Sequence, residues 1–263
     1  MSDEVAVLGC GAFVPGYGGL KGWAESTPSE HRETPTGEMV SPRQRRRTSP
    51  LTKAFSDAFS EATESTGLDL TSVASVFGSA IGEASTMIGL LNQMWSETAN
   101  LSPMKFATSV HNAASGVISI ASANRGMTTA IGADYDTPAM SLLEGIGLVL
   151  DRGEAVVVCC GDEAPPPDLV SKGVEWSLMT AAIALGPTSE ALPARPQLSQ
   201  LGIAEPTLSW QAGTGEAGER VDRNPNIGLL DLVVAIHNGS AGVVRLDRGT
   251  GRGYSIRLQA LSG

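Results

Sequence analysis

The segment Ala155 to Cys160 is an unbroken apolar run, AVVVCC, the pattern of a β-strand buried on both faces. A strand of that kind must be covered on each side, and the surrounding sequence offers the covers. Ser49 and Pro50 open a helix whose apolar stripe is Leu51, Ala54, Phe55, Ala58, Phe59 and Ala62, with Gly67 as its stop. Further helices are expected over 84–97, 112–124 and 138–150, the last closed by Asp151-Arg-Gly153. The 112–124 segment is small or apolar all round (Ala113, Ala114, Gly116, Val117, Ile120, Ala121), which predicts a central helix packed on several sides. Strands are expected at Val5–Leu8, ending in the turn Gly9-Cys-Gly11, at Val73–Phe77, at Thr128–Gly132 and in the region Trp176–Leu185. Residues 15–50 and 187–227 read as mostly loop. Three runs near the end, Leu230–Ile236, Gly242–Leu246 and Tyr254–Leu258, read as short strands. Strands alternating with helices over most of the length predict a layered α/β fold.

Composition narrows the function classes. The chain has 263 residues, 41% hydrophobic and 17% charged, a globular balance that excludes disorder, collagen and coiled coil. No segment approaches the ~18 consecutive apolar residues of a membrane span. The N-terminal MSDEVAVLG is acidic and lacks the charged and apolar regions of a secretory signal, and three cysteines make no disulfide framework, so a cytoplasmic protein is expected. A formal net charge of −10 argues against a nucleic-acid partner.

Motifs of familiar chemistry are few. Gly213-Thr-Gly-Glu-Ala-Gly218 matches GxGxxG but has no strand leading in and no apolar helix leading out. The chain contains no Walker, HExxH, CxxC or GxSxG sequence, and no metal or cofactor is expected. The three histidines, His31, His111 and His237, are scattered. His111 could act as a base or simply bond backbone at a helix end. Cys10, Cys159 and Cys160 read as small buried hydrophobes rather than nucleophiles. The run containing Arg43, Arg45, Arg46 and Arg47 could hold phosphate or a carboxylate-rich partner, or be a solvated stretch.

A set of landmarks in order is more informative. Val5 to Gly16 resembles the opening strand and turn of β-ketoacyl synthases. Gly67-Leu-Asp-Leu, Val76-Phe-Gly-Ser-Ala-Ile-Gly82, Leu101-Ser-Pro103, Ser109-Val-His-Asn-Ala-Ala-Ser-Gly116 and Arg125-Gly126 follow in that family's order. Val156 to Glu163 is similar to the strand and GG-E-type turn beyond the nucleophile helix. The likeness covers about residues 4–187, and Gly78–Gly116 most resembles the short ketosynthase-like subunits called chain-length factors in bacterial aryl-polyene pathways. The resemblance implies a thiolase-like layered α-β-α-β-α fold with an intact N-terminal half (1–187) and a truncated C-terminal half (188–263) that is loop-rich.

The departures carry as much as the matches. Counted along Thr128 to Pro138, the family's nucleophilic Cys falls on Tyr135, and a phenol of pKa about 10 is a poor acyl acceptor. Neither of the family's second-half His motifs is present; His237-Asn-Gly-Ser lacks the right surroundings. The resemblance therefore implies a non-catalytic subunit that pairs with a full-length ketosynthase, reaches the acyl carrier protein through that partner, and shapes the partner's acyl tunnel. Two rival readings are an active β-ketoacyl-ACP synthase or malonyl decarboxylase with a non-standard site, and a purely structural scaffold. Tunnel or interface candidates are Ile81, Ala84 and Ile88 after GSAIG, Met104 and Phe106 after SP, His111, and Thr128 and Ala130 of the strand that pairs across ketosynthase dimers.

Overall fold

The computed structural model describes residues 5–29, 32–96, 101–169, 175–188, 200–204, 219–248 and 250–259. In chain order its elements are β1 (Val5–Phe13), α1 (Gly19–Ala24), α2 (Pro42–Arg45), α3 (Pro50–Thr63), β2 (Ala74–Gly78), α4 (Ala84–Met94), α5 (Pro103–Ala107), α6 (Ala113–Ala121) and β3 (Thr128–Ile131). A 3-10 turn (Asp134–Asp136) leads into α7 (Thr137–Arg152), followed by β4 (Val156–Asp162), β5 (Met179–Pro187), β6 (Gln200–Ala204), α8 (Glu219–Asp222), α9 (Ile227–His237), β7 (Gly242–Arg245) and β8 (Ser255–Gln259). His31 and the 213–218 glycine motif lie outside the described residues.

These strands form one eight-stranded mixed sheet in the order β3-β2-β4-β5-β1-β6-β8-β7. Strands β3, β2 and β4 run parallel; β5 is antiparallel to both β4 and β1. Every residue of β4 is buried, as the apolar run predicts. Its alternate side chains feed two cores. Val157 and Cys159 face α3 and α6, packing with Phe55, Phe59, Phe77 and Ile118. Val156, Val158 and Cys160 face α7 and α9, packing with Leu142, Ile146, Leu229 and Val233.

Helix α3 begins as its sequence predicts: Ser49 Oγ accepts the Thr52 amide at 3.0 Å and Pro50 takes the first turn. It lies directly on β1, because Gly9 and Gly11 bring no side chain between them. A Cβ on Gly11 would stand 2.3 Å from Ala58 O and 2.6 Å from Ala62 N. This close approach also explains why β1 runs through the expected turn at residues 9–11 to Phe13, with a register irregularity between Val7 and Gly9.

Other expectations need correction. Leu230–Ile236 is helical, the middle of α9. An unbroken apolar run has no period to separate a strand from a helix buried on all sides, and α9 is such a helix, packed against β5 and β1 on one flank and β7 on another. Arg248, in the turn after β7, fastens this unit by donating to Asp222 of α8 at 2.7 Å and to Asp231 of α9. Helix α6 is peripheral rather than central. It covers β2 and β3 beside α3, and Ile120 is left 70% exposed. Small residues all round permit close packing on every side, but this chain covers only one. The 15–50 region includes the short helices α1 and α2. The arginine run starts on α2, and Arg43, Arg45, Arg46 and Arg47 enter no ion pair among the described residues.

The α3–β1 spacing gives a direct test. Gly11→Ala places its methyl against helix backbone that cannot rotate away, so it should destabilise the fold by about 1–3 kcal/mol. Urea unfolding followed by circular dichroism should show the lower midpoint; an unchanged midpoint would mean that the spacing is set elsewhere.

Candidate functional site

The segment between β2 and α4, Ser79–Glu83, is held by buried acids. Asp162, the last residue of β4, has no solvent exposure. Its carboxylate accepts the Ser79 hydroxyl (2.5 Å), the amides of Ala80 (2.9 Å) and Ile81 (3.0 Å), and Asn226 Nδ2 (2.5 Å) from the turn before α9. Glu163 accepts the Ser85 amide at 2.7 Å, while its carbonyl accepts Trp176 Nε1. Glu83, at the start of α4, accepts the hydroxyls of Ser49 (2.6 Å) and Thr52 (2.7 Å) and so ties α4 to α3. No Lys or Arg pairs with Asp162 among the described ion pairs. Burial pushes Asp162 up to about 6, partly offset by the bonds from Ser79, Ile81 and Ala80; burial raises Glu163 and Glu83 as well.

The expected site residues are arranged around this held segment. Ile81 is half-buried within it, and Ala84 is fully buried at the start of α4, facing its own chain. Ile88 lies half-buried on α4, and Met104 and Phe106 are 49% and 66% exposed on α5, which packs on α4. His111 stands in the turn before α6, where Nε2 donates to Ser79 O at 2.8 Å; its ring also lies against Gly82 and Gly132. It therefore bridges the end of β2 and the end of β3, in the role of a backbone-bonding histidine. With Leu51, Phe55, Phe77 and Glu83 it lines a small pocket under the segment. Thr128 and Ala130 lie on β3, the edge strand of the sheet, where Thr128 Oγ1 accepts the Ser75 hydroxyl at 3.0 Å.

Tyr135 occupies the 3-10 turn between β3 and α7, immediately ahead of the helix N-terminus. The turn is strained: Asp134 has φ +51°. It is braced from a distant segment, because Asp136 Oδ1 accepts the Arg252 amide at 2.8 Å. The Tyr135 phenol is half-buried, and burial followed by the Asp134 charge keeps it above its ordinary pKa, hence un-ionised. The sulfurs are elsewhere. Cys159 and Cys160 are inside β4 and Cys10 inside β1; burial raises all three thiols, Cys160 to about 12. Among the described residues no group of three or more His, Cys, Asp and Glu is placed to hold a metal ion, and no helix is long and apolar enough to cross a membrane.

A mixed α/β sheet with helices on both faces is the thiolase-like architecture of ketosynthases. The chain belongs to the family described as "Beta-ketoacyl synthase, N-terminal domain", which it matches over residues 21–219. Among solved structures it is similar to a chain of the ketosynthase (ApeO) in complex with its chain length factor (ApeC) from Xenorhabdus doucetiae. That match has a TM-score of 0.69 and 15% identity and covers 96% of this chain and 98% of that one. The ishigamide ketosynthase/chain length factor aligns with TM-score 0.60 and 14% identity, covering 76% of this chain and 67% of that one. A type II polyketide synthase acyl-carrier protein in complex with its ketosynthase bound to the hexaketide aligns with TM-score 0.63 and 14% identity, covering 76% and 68%. At identities this low the likeness speaks to fold alone. A comparison with curated proteins gives no match.

The buried acids set a pH dependence. An acid whose folded pKa lies above its unfolded value of about 3.9 binds its proton more tightly in the native state. Stability from Asp162 is then fully present below about pH 4 and falls, by on the order of 2–3 kcal/mol, as pH rises through about 6. The urea midpoint should therefore be higher at pH 5 than at pH 7.5, and Asp162→Asn should narrow that difference. An unaltered slope in the variant would show that Asp162 does not titrate in this range.

Proposed function

We propose that this chain is a non-catalytic ketosynthase-like subunit, a chain-length factor, which pairs with a full-length ketosynthase and shapes its acyl tunnel in polyketide or aryl-polyene-type biosynthesis. Residues 1–187 supply the ketosynthase-like half and 188–263 a short second part. The carrying observation is Tyr135: the turn at the head of α7 holds an un-ionised phenol where this family needs a thiolate. No thiol among the described residues replaces it: Cys159 and Cys160 are buried in β4, Cys10 is half-buried in β1, and burial raises all three. His111 is committed to Ser79 O. Condensation chemistry then belongs to the partner, and the acyl carrier protein engages through that partner. This reading also accounts for large apolar side chains left in water on α4 and α5, namely Met94, Met104 and Phe106.

If Tyr135 marks a dead nucleophile position, the chain never carries acyl groups. Intact-mass measurement after incubating the complex with acyl-carrier substrate should find no adduct on this subunit, and Tyr135→Phe should leave condensation unchanged. An adduct removed by changing one of this chain's own residues would return the enzyme reading to favour.

Phe106 separates tunnel shaping from scaffolding. It is 66% exposed, so Phe106→Ala should alter fold stability by no more than about 0.5 kcal/mol. If it lines the partner's tunnel, the shorter side chain admits a further two-carbon unit, worth about 0.8 kcal/mol per CH2 buried, and longer products appear. Met104→Trp should shorten them. Product lengths that do not move for either variant, with assembly intact, would leave the scaffold reading.

A further inference from the structure

Asp162 has no lone pair to spare. An ionised carboxylate offers about four acceptor sites, and donors fill all of them. Oδ1 takes the Ser79 hydroxyl and the Ile81 amide; Oδ2 takes the Ala80 amide and Asn226 Nδ2. A proton arriving on this buried acid therefore needs a partner that changes from donor to acceptor. The amides of Ala80 and Ile81 offer only an N–H and cannot reverse. The Ser79 hydroxyl already accepts the Gly82 amide at 2.8 Å, and to receive the acid proton it would have to withdraw its own hydrogen from the acceptor it now has.

Asn226 is different. It is fully buried, and its Oδ1 has no hydrogen-bond partner among the described residues, while Nδ2 donates to Asp162 at 2.5 Å. A buried acceptor left unpaired is costly. A half-turn of the side-chain amide brings Oδ1 to the place of Nδ2, facing Asp162 Oδ2. The backbone of Asn226 stays where it is: its amide donates to Asn224 Oδ1 at 3.0 Å, and Asn224 Nδ2 is anchored on the carbonyls of Asp162 and Ser177.

We propose that Asp162 and Asn226 form a proton-coupled switch that sets how firmly the Ser79–Glu83 segment is held. With Asp162 ionised, Asn226 donates to it and the segment hangs on a charged acceptor. When a proton binds Oδ2, the Asn226 amide turns over and its Oδ1 accepts the new O–H. Oδ2, now a hydroxyl oxygen, becomes a poorer acceptor for the Ala80 amide, whereas Oδ1 becomes the acid's carbonyl oxygen and keeps Ser79 and Ile81. The hold loosens at Ala80, between Ile81 and the Ser79 carbonyl that His111 bonds. Burial pushes Asp162 up to about 6, which puts the change near neutral pH. The other ionisable groups in its field are His111 ahead of α6, Glu163 just after β4, and Cys160 within β4, whose thiol is raised to about 12 and keeps its proton. The switch is internal to this chain, so pairing with a ketosynthase, or its failure, leaves it standing.

The test is an NMR titration of the isotope-labelled full chain from about pH 4.5 to about pH 8. The Asp162 carboxyl carbon, Asn226 Nδ2 and the Ala80 amide should shift together with one midpoint near pH 6. Below it the exchange protection of the Ala80 amide, corrected for the intrinsic effect of pH, should fall by about tenfold, because bonds to charged groups are roughly twice as strong as neutral ones. Protection of Ile81 should fall by less. The joint transition should survive His111→Gln and Glu163→Gln and vanish in Asp162→Asn. The wild-type titration decides the matter even where a variant fails to fold. An Asp162 carbon that titrates while Asn226 and Ala80 stay still would overturn the switch. So would an acid that remains ionised across the range, or a transition abolished by His111→Gln or Glu163→Gln.

Discussion

Asp162 is an acid sealed in protein with no Lys or Arg paired to it among the described residues, and such a group is tolerated only where hydrogen-bond donors surround it. The donors it gathers come from parts of the chain far apart in sequence: Ser79, Ala80 and Ile81 after β2, and Asn226 ahead of α9. The segment after β2 therefore cannot relax outward without stripping partners from a buried carboxylate, and α9 is registered against the end of β4 by the same group. Glu163 and Glu83 extend the grip to the first turn of α4 and to α3. Rigidity of this segment matters because Ile81 and His111 are positioned on it or against it. On the proposed reading the segment borders a neighbour's cavity, and a surface with that task must hold its own shape.

On the proposed reading the same architecture separates scaffold from chemistry. The strained turn at Asp134–Asp136 and the long helix behind it persist, while the group presented there is an un-ionised phenol. Strain of this kind, on the order of 1–3 kcal/mol, survives only where surrounding structure enforces it. Here the enforcing contacts are visible: Thr137 Oγ1 accepts the Ala133 amide and donates to Asp134 O, and Asp136 accepts the Arg252 amide. The turn is part of the fold, between the edge strand β3 and α7.

How much of this was legible in the sequence depends on how local each signal is. The double-sided burial of β4, the capped start of α3 and the left-handed stop of α7 at Gly153 all follow from short patterns. Helix α9 did not, because LLDLVVAI has no period and only its neighbours on every flank make it a helix. Helix α6 misled for the complementary reason: its small residues permit close packing on every side but do not say how many sides this chain covers. Asp162 was readable as part of a glycine-acid turn and no further, since its partners lie at residues 79–81 and 226. Tyr135 was located by resemblance to ketosynthases; nothing in the residues around it marks a nucleophile position.

The central claim is that the chain completes a ketosynthase without sharing its chemistry. The most direct measurement is condensation by the reconstituted pair after the partner's nucleophilic cysteine is changed to alanine and this chain is left wild type. No elongated product should form, at any pH at which the pair stays assembled. Elongation that continues in that pair, and stops when a residue of this chain is changed, would contradict the claim.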